Sequence, residues 1–90
     1  MDAAIMLPLL RDVAERAVAE GRKLRLMRER GPMASGVALL KGTVVIVLEP
    51  GIPAAEEVRF LIDGLKKIEL SGLFLPPAVR EALGPQEAGS

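Results

Sequence analysis

Six consecutive residues, Thr43-Val44-Val45-Ile46-Val47-Leu48, constrain this chain more than any other feature. Side chains alternate between the two faces of a strand, so Val44, Ile46 and Leu48 point one way while Val45 and Val47 point the other. Both sets are aliphatic, and a run of this kind fits a strand covered on both faces. The sequence therefore predicts a central strand here, and the remaining segments must supply its neighbours and its covers.

Lys41-Gly42 separates this strand from another apolar run, Ser35 to Leu40. Two loop residues containing a Gly suit a tight hairpin, although Lys is a poorer first turn residue than Asn or Asp. Upstream, Arg22 to Arg30 alternates as a strand would, with Leu24 and Leu26 on one side and Lys23, Arg25 and Glu29 on the other. Met27 interrupts that alternation, and Gly31-Pro32 is placed to turn the chain. Three strands in succession predict a three-stranded antiparallel meander.

Helical periodicity flanks the strands. Leu10, Val13, Ala14, Ala17 and Val18 recur at helical spacing between Pro8, suited to a first turn, and Gly21, suited to a left-handed terminus. The residues before Pro8 either begin this helix or form an extended arm. After the Glu49-Pro50-Gly51 stop, Pro53 opens a helix from Ala54 to about Ile68. Its predicted buried stripe is Val58, Leu61, Ile62, Leu65 and Ile68, and its predicted wet face holds Glu56, Glu57, Arg59, Asp63, Lys66 and Lys67. Gly64 weakens a helix by about 1 kcal/mol relative to Ala, which suggests that another backbone approaches there. Pro76-Pro77 begins a short helix through Leu83, ended by Gly84 and Pro85, with Phe74 closing the core ahead of Val79 and Leu83. The tail Gln86 to Ser90 reads as disordered. The expected fold is thus a small single α+β domain over residues 1–85: N-terminal helix, antiparallel meander, amphipathic helix and short C-terminal helix.

Composition narrows function mainly by exclusion. With no Cys, His, Trp or Tyr, the chain has no disulfide, thiolate nucleophile or Cys/His metal site. Twelve Lys plus Arg balance twelve Asp plus Glu, so no net charge steers the whole chain to nucleic acid. No catalytic, metal-binding or cofactor-binding residue is predicted. The lack of Asn, the single Gln and the excess of Arg over Lys resemble heat-adapted compositions. Asp2 precedes the apolar run Ala3 to Leu10 without a basic region, which argues against a secretory signal and for a cytoplasmic setting. Met33 to Leu48 is too short, and too interrupted by Lys41, to cross a bilayer, so no membrane association is expected.

Two clusters bear on binding. Arg22, Lys23, Arg25, Arg28 and Arg30 are candidate nucleic-acid contacts. Strand alternation splits them between two faces, however, and positive charge on an edge strand also serves to prevent unwanted pairing. Glu56 and Glu57 are adjacent acids, but successive helix positions diverge by about 100°, so they suit a helix dipole better than a catalytic dyad. Ser35, Thr43 and Ser71 have no His to activate them, and Gly31, Gly36 and Gly42 form no phosphate-binding loop.

From Val44 to Ile68, an aliphatic strand, a Pro-containing turn and Glu56-Glu57-Val58-Arg59-Phe60-Leu61-Ile62 resemble the strand–helix core of zincin-type metallopeptidases that cleave phage repressors. Where that family carries HExxH, this chain has Gly64-Leu65-Lys66-Lys67-Ile68, so the resemblance implies a small α+β scaffold without the zinc chemistry. The mean hydropathy of +0.32 is high for a chain of 90 residues. A domain this small buries only about 60 to 65 per cent of its unfolded surface, so apolar groups remain outside. The functional expectation is a non-catalytic, homodimeric interaction or structural module. The alternative is a small nucleic-acid-binding or regulatory protein using residues 22–30.

Overall fold

The computed structural model describes residues 2–28 and 34–85. Arg30, the Gly31-Pro32 turn and the Gln86 to Ser90 tail lie outside the described residues. The element order is α1 (Ala3–Ala19), β1 (Leu24–Met27), β2 (Gly36–Leu40), β3 (Thr43–Val47), α2 (Ala54–Leu65) and α3 (Pro77–Leu83).

The residues before Pro8 are helical: Asp2 caps α1 by accepting from the Ala4 N–H, and Pro8 sits inside the helix. Pro8 removes the donor that would reach the Ala4 carbonyl, a bond that water can replace because Ala4 is exposed. Met6, Leu10, Val13, Ala14 and Ala17 form the buried stripe, while Val18 stays exposed. Gly21, at φ 78°, ends α1. Its N–H donates to Val18 and the Arg22 N–H donates to Ala17, satisfying the last carbonyls in the Schellman manner.

The sheet is mixed, and it corrects the meander expectation. Its order is β1-β3-β2, with β1 parallel to β3 and β2 antiparallel to it. A meander would have put β2 in the middle. The apolar run instead takes the centre, where Val44, Val45, Ile46, Val47 and the following Leu48 are all buried. Met27 at the end of β1 and Gly36 at the start of β2 both pair with Val47, so the connection between them bridges only two strand spacings, about 10 Å.

Helices α1 and α2 pack on each other, α1 against β1 and α2 against β2 and β3. The core unites Leu24, Val44, Ile46 and Leu48 with Leu10, Val13, Leu61, Leu65 and Val79. In α2 the buried side is Glu57, Leu61, Gly64 and Leu65, rotated from the expected stripe, with Val58, Ile62 and Ile68 half-buried. Gly64 admits the side chain of Ile46 rather than another backbone. Beyond α2 and the Ser71-Gly72 turn, Leu73 and Leu75 are buried while Phe74 between them faces solvent. Phe74 is 65 % exposed and does not close the core. The Arg16 guanidinium lies 6.0 Å from its ring centroid.

Candidate functional site

The described cations of the basic segment divide between internal partners and the open surface. Arg22 pairs with Glu20 (2.9 Å) and donates to the carbonyls of Glu69 and Ser71 (both 2.8 Å), fastening the start of β1 to the loop after α2. Arg28 reaches Glu57 at 2.9 Å. Lys23 and Arg25 are exposed. Two of the four described cations therefore tie the chain to itself.

Sequence reasoning missed the destination of Arg28. Glu57, 4 % exposed, is the one charged residue buried among the described residues. It accepts from Arg11 through both oxygens, Nε at 2.7 Å and Nη2 at 2.9 Å, and Arg28 donates to Oε2. These partners join α1, α2 and the end of β1. The two-pronged Arg11 bond chiefly holds the Glu57 carboxyl below the usual carboxylate range against the opposing effect of burial, with Arg28 adding to it. The same bond chiefly raises Arg11. A carboxylate so engaged stays ionised and has no proton to give, so its chemistry is that of an internal tie. A sequence signal was available: Glu57, Leu61 and Leu65 stand at i, i+4 and i+8, on one helix face.

Two of the surface depressions are lined by described residues throughout. One, of about 350 Å³, has Val44 and Ile68 beside Arg22, Lys23, Lys67 and Glu69. Lys67 is paired with Asp63 at 2.9 Å. The other, of about 630 Å³, lies where α1, α2 and α3 meet, with Met6, Val58, Ile62, Ala78 and Ala82 in its walls and Glu81 beside them.

Among the described residues the large apolar side chains left exposed are Ile5 and Val18 on α1, Leu39 and Leu40 on β2, and Phe74, and only on β2 are two of them adjacent in the chain. Val45 and Val47 are already buried in a single chain, so the second face of β3 does not itself call for a partner. Leu39 and Leu40, by contrast, are 67 % and 58 % exposed at the end of an edge strand. Among the described residues no group of acidic side chains is arranged to hold a metal ion, and no helix is long and apolar enough to cross a membrane. No protein-family model, curated protein or solved structure matches the chain.

Proposed function

We propose that this protein is a non-catalytic interaction module that forms a homodimer through its exposed apolar surface. The observation that carries the reading is the pair Leu39 and Leu40, adjacent and solvent-facing on an edge strand. Fully burying one leucine side chain is worth about 1.5–3 kcal/mol, so covering both offsets part of the entropy lost on association. The engagement of Glu57 by two arginines supports a structural rather than an acid–base role for that carboxylate. The zincin likeness belongs to the same proposal, as a scaffold in which Gly64 to Ile68, at and just past the end of α2, stand in place of the catalytic motif. A cytoplasmic setting is also part of it, supported by a core that closes without disulfides.

The nucleic-acid reading retains Lys23 and Arg25 as exposed cations, but Arg22 and Arg28 are committed to partners within the chain. Sedimentation analysis from micromolar to hundred-micromolar protein tests the proposal. The expected mass is twice 9.6 kDa at the upper end, and a monomer at every concentration rejects the dimer.

A further inference from the structure

We infer that two copies join by pairing their β2 strands antiparallel about Ala38, which merges two three-stranded sheets into one of six strands. This inference rests on the self-association proposed above and specifies its geometry.

The hydrogen-bond pattern of the hairpin comes first. Lys41 and Gly42 both have positive φ (51° and 80°), the signature of a two-residue turn closed by the Leu40–Thr43 pair. Alternation then makes Leu40, Ala38 and Gly36 exchange backbone hydrogen bonds with β3, and aims the N–H and C=O of Val37 and Leu39 away from it. Among the described residues no hydrogen bond engages those four groups. Their spacing suits another extended backbone. Antiparallel pairing about Ala38 sets Val37 against the partner's Leu39, and Leu39 against the partner's Val37, which satisfies all four groups in each copy with four shared bonds.

The side chains fit the same register. Leu39 lies on the helix-bearing face, opposite Val44, and Val37 on that face is half-buried against the core. The pairing covers each exposed Leu39 with the partner's Val37, at a cross-strand Cβ separation of about 4.5–5.5 Å. On the other face Leu40 comes opposite the partner's Gly36, where no described atom lies within 4 Å of a Cβ placed on the glycine. The strand thus supplies both a projecting leucine and the space that receives it. Such self-complementarity is what a two-fold contact requires.

Charge separates the two sheet edges. Gly36-Val37-Ala38-Leu39-Leu40 carries no charged residue and no proline, so it meets its own copy without repulsion. The β1 edge is flanked and occupied by Lys23, Arg25 and Arg28, the usual protection against strand addition. The chemistry favours the second copy's β2 as the occupant.

The chain has no cysteine, so Ala38→Cys gives a single thiol at the proposed two-fold axis. Facing residues at such a non-hydrogen-bonded position have Cα atoms about 4.5 Å apart, within disulfide range. Mild oxidation should link the Ala38→Cys protein into a covalent dimer, while Ala55→Cys, exposed on α2, stays largely unlinked. In parallel, Leu39→Lys should keep the native circular dichroism and weaken dimerisation by at least about tenfold, a loss of about 1.4 kcal/mol. A dimeric wild-type protein in which Ala38→Cys links no faster than Ala55→Cys, or in which Leu39→Lys dimerises normally, overturns the β2 contact and leaves self-association through another surface. A wild-type monomer at all concentrations overturns the self-association reading as well.

Discussion

Ile46 lies across Gly64: a Cβ added to the glycine would fall 2.6 Å from Ile46 Cγ1 and 3.7 Å from Val44 Cγ1. The missing side chain sets how closely α2 rests on the central strand. Gly64→Ala is expected to destabilise the protein even though Ala favours a helix by about 1 kcal/mol, because Ile46 is fully buried and overpacking costs about 1–3 kcal/mol. Denaturant unfolding measures the change. The penalty should shrink in an Ile46→Ala background, where Cγ1 and the distal methyl are both gone; an equal penalty there would show that the contact is not the cause.

Glu57→Gln is expected to cost about 1–3 kcal/mol at neutral pH. The figure is below the full cost of breaking a buried pair because Arg11 and Arg28, with side chains 44 % and 41 % exposed, can turn to water. Arg28→Gln should cost less, since the two-pronged Arg11 bond remains. The folded carboxyl titrates below its unfolded value, so its contribution is complete above the ordinary carboxylate value of about 4.3 and fades as pH falls through the lower, folded one. Urea titrations of wild type and Glu57→Gln should therefore converge in acid, and parallel curves down to the acid limit would contradict the assignment.

Position on β2 and β3 should decide the effect of a new carboxylate. Ile46→Asp places it in a fully buried site and is expected to cost several kcal/mol, enough to abolish cooperative unfolding in a small domain. Leu39→Asp, on the same face of the sheet but mostly exposed, should retain the native spectrum. Circular dichroism melts of the two variants check this contrast.

The segment after α2 makes a similar distinction. Phe74→Ala should cost under about 1 kcal/mol, chiefly its contact with Arg16, because the ring faces water. Leu75→Ala should cost about 2–4 kcal/mol, since it empties a buried position. Thermal denaturation that ranked Phe74→Ala as the more damaging would place the aromatic ring in the core after all.

For nucleic acid, the informative variant is Lys23→Gln with Arg25→Gln, because both side chains are exposed. Adding Arg28→Gln would mix any loss of binding with the loss of its bond to Glu57. The double variant is expected to fold normally and to match wild type in showing no submicromolar DNA or RNA binding at about 0.15 M salt. Tight wild-type binding that weakens in the variant would promote the basic strand to the functional surface.

Elements were more legible than their arrangement. Gly21, the Lys41-Gly42 turn and the Asp63/Lys67 pair follow from local rules, and all three occur as those rules require. Phe74 was misread because size suggested burial, whereas its neighbours Leu73 and Leu75 take the buried positions and leave the ring in solvent. Glu57 was misread because a charge on a helix ordinarily seeks water. Its burial depends on Arg11 and Arg28, which are 46 and 29 residues away in the chain.

By itself the sequence determined that residues 43–48 needed neighbours on both edges, that residues 35–40 would return as their hairpin partner, and that no cysteine or histidine chemistry was available. Strand directions were equally constrained, because β1 runs opposite to β2 in a meander and in the observed sheet alike. A central position for residues 43–48 and a meander cannot both hold, and only the tertiary structure decided that β1 joins β3 rather than β2, since local propensity is blind to which edge a distant strand will join. In that arrangement α1 packs against β1 and α2 against β2 and β3, and Val37 and Leu39 keep their backbone groups at the open edge of β2. The physical reason is that burial and hydrogen-bond pairing are satisfied by the whole assembly of elements, whereas turns and caps are satisfied within a few residues.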